Sequence, residues 1–209
     1  MKKILVAAAV MACFGTAGAA EDITVDVAVI GAGGAGLSAA VQAHELGANV
    51  VVVEKMAMVG GNTVRAAGGL NAVGTALQQA KGTKDSVEIM FYDTMKGGHW
   101  LNDPALVRTL VTKSASSVYW LLAHDVGLMA GASQPRTHRP TGGALVGPEV
   151  VRTLYTAAKN LKIDVRTNTH AEQILTDKSG RVVGLKVKGK DGTYTIHSKA
   201  VVDAAGGFG

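Results

Sequence analysis

The chain has 209 residues, with 21 lysines and arginines against 16 aspartates and glutamates and a formal net charge of +5. That excess is mild and dispersed, and only three Phe and two Trp are available for stacking, which argues against nucleic acid as a partner. The single cysteine, Cys13, excludes an intrachain disulfide, and no Cys-x-x-Cys-His run is present for haem attachment.

Lys2 and Lys3 precede an apolar run from Ile4 to Phe14 and the small residues Ala17-Gly18-Ala19, the pattern of a cleaved secretory signal over residues 1–20. The run of 11 residues is too short to span a bilayer as a helix. Cys13, after Val10-Met11-Ala12, offers the alternative of lipoprotein acylation, although Met is unusual at that place. The expected destination is the periplasm, reached unfolded because no twin-arginine pair is present. Cleavage leaves 19 basic residues against 16 acidic ones and no cysteine.

Ile23 to Ile30 is the first predicted strand. It runs into Gly31-Ala32-Gly33-Gly34-Ala35-Gly36, then a helix over Gly34 to Leu46 and a second strand over Asn49 to Glu54. Each part suits an adenine dinucleotide. Gly31 permits a tight turn, Gly33 lets the backbone approach a pyrophosphate, and Gly36 lets the helix pack closely on the strand. The helix N-terminus, with Ala35 in its first turn, favours the phosphates. Glu54, 18 residues after Gly36, is placed to accept hydrogen bonds from ribose hydroxyls, and its charge disfavours NADP.

After Glu54-Lys55 the chain carries two closely spaced glycine pairs, in Gly60-Gly61-Asn62-Thr63 and Ala66-Ala67-Gly68-Gly69-Leu70-Asn71. Their backbone N–H groups suit a ligand extending well beyond its pyrophosphate, as FAD does. Asn62 and Thr63 are expected as donors at the flavin end, with Met56 and Met58 packing under the loop; a flexible surface loop is the alternative.

Helices are predicted over Asp85 to Met95 and Asp103 to His124, the second with Asp103-Pro104 as its start signal. Ser133 to Gly143 reads as a polar loop whose Arg136, His138 and Arg139 either approach an anion or the flavin or face solvent. A helix from about Leu145 to Lys159 follows. Ile163 to Val165, Ala171 to Thr176, Val182 to Lys188 and Tyr194 to Ser198 are short alternating runs that form a β-meander, and Ala200 to Ala204 is a final strand before Gly206-Gly207. His99, His124, His170 and His197 have no second ligand at metal spacing and read as structural. The expected fold class is α/β, a Rossmann-like FAD-binding fold with a β-meander in place of one crossover.

Several segments carry a family resemblance. Gly31 to Gly36, Glu54-Lys55, Gly60 to Thr63, Ala67 to Asn71 and Gly-Gly-Phe-Gly at 206 to 209 resemble the FAD domain of the fumarate reductase and succinate dehydrogenase flavoprotein family. Asp93 to Gly98, Asn102 to Val107 and His138 to Ala144 resemble its soluble periplasmic branch, the flavocytochrome c type fumarate reductases and urocanate reductases. The resemblance implies hydride transfer from flavin N5 to the C=C bond of an unsaturated carboxylate. It places the pyrophosphate at Gly31, Gly33, Ala35 and Gly36 and the flavin along Gly61, Asn62, Thr63, Ala67, Gly68 and Gly69. Ala205 and Gly206 would close that groove, and the backbone near Ala171 would neighbour adenine. Asp203 and Ala205 depart from the apolar residue and threonine usual there.

In the family a capping domain and the second half of the FAD domain follow Gly-Gly-Phe-Gly. They carry the substrate clamp and the proton-donating arginine. Residues 21–209 are therefore expected to be a partial, incomplete FAD-binding domain, inactive alone and completed by a polypeptide encoded downstream. Its electrons would come from a separate haem or flavin carrier. The alternatives are a non-catalytic flavin-binding remnant, or a relative such as a ketosteroid dehydrogenase or aspartate oxidase.

Overall fold

The computed structural model describes residues 21–130 and 136–207. The signal segment expected over residues 1–20 lies outside them. β1 (Ile23–Ile30), α1 (Gly34–Glu45) and β2 (Val50–Val53) form a strand–helix–strand unit in which β1 and β2 are parallel, with Val27 opposite Val50 and Ile30 opposite Val53. All four valines of β2 are buried, as a continuous apolar run is when both faces of a parallel sheet are covered. Alternation divides them between two cores. Val50 and Val52 join Val29, Leu37, Val41 and Leu154 on one face. Val51 and Val53 join Ala28, Leu185, Val187, Tyr194 and Ile196 on the other.

The chain continues through a single 3-10 turn at Thr63–Arg65, then β3 (Leu70–Asn71), α2 (Ala76–Gln79), α3 (Val87–Gly97), α4 (Pro104–Ala123), β4 (Leu128–Ala130) and β5 (Thr137–Pro140). α4 starts where the sequence signals it. Asp103 accepts from the N–H groups of Ala105 and Leu106 at 2.7 and 3.2 Å, and Pro104 takes the first helical position. α5 (Val146–Asn160), β6 (Asp164–Arg166), β7 (His170–Thr176), β8 (Val182–Gly189) and β9 (Gly192–Asp203) complete the order. The main sheet runs β6-β2-β1-β9-β8-β7, its first four strands parallel and β9-β8-β7 an antiparallel meander; the run Ile163 to Val165, expected in that meander, instead overlaps β6, which pairs in parallel with β2 at the opposite edge.

Two further predicted elements are corrected. Of the expected polar loop from Ser133 to Gly143, residues 133–135 lie outside the described residues and Thr137–Pro140 is a strand. β5 is the middle strand of a small sheet β3-β5-β4, with His138 opposite both Leu70 and Ala130. These distant partners, not local propensity, make it a strand, and Pro140 at its end removes no central bond. The expected separate strands Tyr194 to Ser198 and Ala200 to Ala204 are one, β9, 12 residues long. Lys199 does not break it. Its ammonium stands 2.6 Å from Asp26 Oδ1 on the neighbouring strand. The first half of β9 is antiparallel to β8, while Ile196 to Asp203 runs parallel to the whole of β1.

Candidate functional site

Three loops leave the carboxyl ends of the parallel strands β1, β2 and β9 side by side, the place where open α/β sheets take ligands. Gly31 follows β1 with φ of +94°, and a Cβ there would stand 2.5 Å from the carbonyl oxygen of Ala204. Its glycine is thus required by the turn and by the approach of the chain after β9. A Cβ on Gly36 would collide with the Gly31 carbonyl oxygen, so this glycine seats α1 against β1. Gly33 differs. A Cβ there would meet Gly60 O and Thr63 Oγ1 only at 3.7 Å, so the fold itself leaves room above it.

α1 begins without an acid in its first turn and with Gly33 as a cap that has no side chain, so the positive end of its dipole is not compensated locally. The second glycine loop is joined to it. Gly60 N–H donates to Ala32 O at 2.8 Å, and Gly34 N–H donates to Thr63 Oγ1 at 3.0 Å. Thr63 therefore accepts from the helix start and keeps its own hydroxyl proton to donate outward. Gly61 stands beside Gly33, a Cβ on it lying 3.7 Å from the Gly33 Cα, and Asn62 is exposed next to them.

Glu54 is buried at the end of β2. Its Oε2 accepts from Ala32 N–H at 2.8 Å and its Oε1 from Met56 N–H at 2.9 Å. A carboxylate has about four acceptor positions, so one on each oxygen remains. Glu54 lines a cleft of about 150 Å³ with Gly31, Lys55, Thr169, Ala171 and Ala205. Five of the expected residues thus meet in one place. His170, read from sequence as structural, also borders it, as does Thr169, which was not singled out; Thr169 N–H donates to Glu54 O at 2.9 Å and anchors the approach to β7. Gly206 follows Ala205 with φ of +93°.

Ala67 and Gly68 border a different cleft, of about 330 Å³, with Lys81, Arg139, Thr141 and Leu145. The two glycines of this loop are not equivalent. A Cβ on Gly68 would enter open space, whereas one on Gly69 would strike Thr137 Cγ2 and come within 2.7 Å of His138 O. The structure therefore places Ala205 with the Glu54 end of the site, not with Ala67 and Gly68. Gly147 was missed by sequence reading. Its N–H donates to Ala66 O at 2.9 Å and a Cβ on it would strike Thr63 O, so it seats the first turn of α5 on the loop from Thr63 to Ala66. A glycine inside a first helical turn is the signal that pointed there.

The remaining polar residues resolve individually. His138 is 0% exposed, so it neither faces solvent nor is set in a loop. Its Nε2 lies 2.8 Å from Thr75 Oγ1 and its Nδ1 3.1 Å from Arg136 O, and burial holds its pKa below the ordinary histidine value. Arg136 is taken by Asp85 at 2.7 Å and Asp93 at 3.0 Å. Met56 and Met58 are exposed, Met58 by 71%, and do not pack under the loop as expected. His124 stacks on Trp120 and reaches Glu45 at 2.9 Å. Among the described residues no group of three or more His, Cys, Asp or Glu is placed to hold a metal ion.

These features fit FAD: a glycine turn, an uncapped helix start, open space over Gly33 and a buried acid with spare acceptors. Sequence comparison agrees. The FAD binding domain family matches residues 26–209. The chain is 51% identical over 191 residues to "Fumarate reductase (cytochrome)" of Shewanella frigidimarina, covering 88% of this chain and 34% of that protein. It is 38% identical over 195 residues to "Urocanate reductase" of Eggerthella lenta, covering 88% of this chain and 32% of the relative. The open conformation of a flavocytochrome c3 fumarate reductase superposes with a TM-score of 0.83 at 44% identity, over 92% of this chain and 35% of that one. The chain thus spans about a third of the length of the relatives it matches. With turn, helix start, acid and sequence in agreement, the chain belongs to the FAD binding domain family, and FAD is the cofactor it is built to hold.

Proposed function

We propose that this chain is the FAD-binding part of a periplasmic oxidoreductase that reduces the C=C bond of an unsaturated carboxylate such as fumarate. One observation carries the cofactor assignment: Gly31, Glu54, Lys55, Ala171 and Ala205 border a single cleft at the carboxyl ends of the parallel strands. Likeness to fumarate reductases supports the substrate class, and the basic, apolar and small-residue order of residues 1–20 supports export. When bound, FAD supplies the redox chemistry, passing hydride from its reduced ring to one alkene carbon.

The chain's own residues bind and orient. The amides at the start of α1 and the backbone of Gly33 face the pyrophosphate, with Ala35 and Gly36 in the first helical turn. Glu54 accepts from the ribose diol through the two acceptor positions that Ala32 and Met56 leave, with Lys55 at the rim and Ala171 beside adenine. Gly61, Asn62, Thr63, Ala67, Gly68 and Gly69 run along the flavin, and Ala205 with Gly206 bounds the side nearest β9. Electrons arrive from a separate haem or flavin carrier, in keeping with the cytochrome in the names of similar proteins.

The test is a dye-linked assay. The chain is purified with FAD and combined with any polypeptide encoded beside it, and oxidation of reduced viologen is followed on adding fumarate. Turnover that needs both FAD and fumarate is expected. Stoichiometric flavin without turnover in every combination would leave a flavin-binding protein that is not a reductase, and absence of flavin would overturn the site itself.

A further inference from the structure

We propose that the buried pair Thr75 and His138 positions the loop from Ala67 to Asn71, and that uptake of a proton by His138 loosens the hold of this loop on FAD. The inference rests on the reading above that the loop runs along the flavin, and it adds the regulation of that site.

The loop is backed by β5. His138 stands opposite Leu70, the residue after Gly69, and opposite Ala130 on its other side. Gly69 lies so close to β5 that an added Cβ would strike Thr137 Cγ2 and come within 2.7 Å of His138 O, whereas Gly68 faces open space. Whatever moves β5 therefore moves the face that the loop offers to a ligand. His138 and Thr75 are both 0% exposed, so neither can exchange its partner for bulk water.

The partners fix the protons. Nδ1 of His138 lies 3.1 Å from Arg136 O, a carbonyl that only accepts, so Nδ1 carries the ring proton. Nε2 is then an acceptor, and the Thr75 hydroxyl, 2.8 Å away, donates to it. Thr75 is committed on its other side as well. Its Oγ1 accepts from Gln78 N–H at 3.2 Å and its own N–H donates to Gln78 Oε1 at 3.2 Å, the capping box that starts α2. A second proton on the ring breaks this chain of bonds. Nε2 becomes a donor, the Thr75 hydroxyl must turn, and its hydrogen loses its acceptor inside the core.

No free carboxylate on the surrounding elements offsets the new charge. β3, β4 and α2 carry no charged residue. Arg136 and Arg139 flank His138 in the chain, and Lys81 reaches Ala130 O at 2.7 Å. Asp85 and Asp93 are held by Arg136, and Glu149, on the α5 helix that packs against β5, is held by Arg152. An imidazolium here adds a cation to cations, and burial disfavours it further. The closed form of the small sheet thus resists the proton, while an opened form takes it near the ordinary histidine value of about 6.5. FAD affinity therefore falls as pH drops below that value, by at most about tenfold per pH unit for one proton.

Titration of FAD into the apo chain at pH 7.5 and 5.5, followed by flavin fluorescence, tests this beside calorimetry with ADP-ribose. ADP-ribose reaches the Glu54 end of the site, lacks the flavin, and has no phosphate that titrates in this range. The parent should bind FAD about tenfold more weakly at pH 5.5 and ADP-ribose equally at both. His138→Gln should bind FAD with no such pH dependence. Thr75→Val should weaken FAD about three- to tenfold at pH 7.5, the scale of one buried hydrogen bond, and spare ADP-ribose, while Thr75→Ser restores FAD. Equal FAD affinity of the parent at the two pH values overturns the proposal, as does the same pH dependence in His138→Gln. A fall in ADP-ribose affinity that matches the fall for FAD also overturns it, since the proton would then act on the whole fold. Where His138→Gln fails to fold by circular dichroism, Thr75→Val decides: FAD affinity equal to the parent's sinks the proposal. A chain that binds neither FAD nor ADP-ribose at either pH sinks the cofactor site beneath it instead.

Discussion

The carboxylate of Glu54 ties the loop after β1 to the loop after β2 through Ala32 and Met56. Replacing it therefore removes two charge-assisted hydrogen bonds along with any acceptor for a ribose. Glu54→Ala should lower the stability of the FAD-free chain by about 2–4 kcal/mol in urea denaturation, and FAD affinity by at least about tenfold. A variant as stable as the parent would show that the two bonds contribute nothing. The adjacent glycines Gly68 and Gly69 give a second contrast. Gly68→Val should leave folding intact and block flavin, because its Cβ meets only the space a ligand would fill, whereas Gly69→Val should cost about 1–3 kcal/mol of stability through collision with Thr137 and His138. Thermal melts of the apo-proteins beside their flavin content separate the two. The role of Gly36 in helix–strand packing was legible because its cause is local. The difference between Gly68 and Gly69 was not, because it depends on β5, nearly seventy positions away.

Among the elements, the small sheet β3-β5-β4 carries the clearest pH dependence. Burial holds the His138 pKa below its ordinary value, so the unfolded chain takes up a proton that the folded chain resists. The stability this withholds is fully present above about pH 6.5 and falls as pH drops through that value. Asp85, held below the usual carboxylate range by hydrogen bonds from Arg136, adds a further loss below about pH 4. Urea midpoints at pH 7.5 and 5.5 should therefore differ in the parent and converge in His138→Gln. An equal difference in both would place the titrating group elsewhere. α4 was legible from Asp103-Pro104, which states its own start. β5 was not, since Thr137-His138-Arg139-Pro140 has no strand pattern and becomes a strand only between Leu70 and Ala130.

For the molecule as a whole, β1, α1, β2 and the β7-β8 hairpin followed from periodicity and turns, because those signals repeat along the chain, whereas β6 was read into the meander and pairs in parallel with β2. The joining of two predicted strands into β9 depended on β1 lying alongside, which no local window contains. FAD should act on the entire fold. A ligand that binds only the folded chain adds about 2.7 kcal/mol at a hundredfold excess over its dissociation constant, so the melting temperature should climb steadily with FAD concentration. Melts followed by tryptophan fluorescence over a range of FAD would show this, and a flat response would mean that the cofactor does not engage the native state.

The length and double pairing of β9 also govern when this protein can exist. Ile23 finds its partner only in Ile196, and every later residue pair of that ladder closes across a similar interval of chain. A ribosome must therefore release the chain as far as β9 before β1 gains its second neighbour. Until then the newborn strand–helix–strand unit offers an open row of amides and carbonyls to any passing strand. Such late closure makes for slow folding. It also gives a chaperone an interval in which the chain is still thread, and lets the cofactor meet a molecule whose β9 has only just arrived.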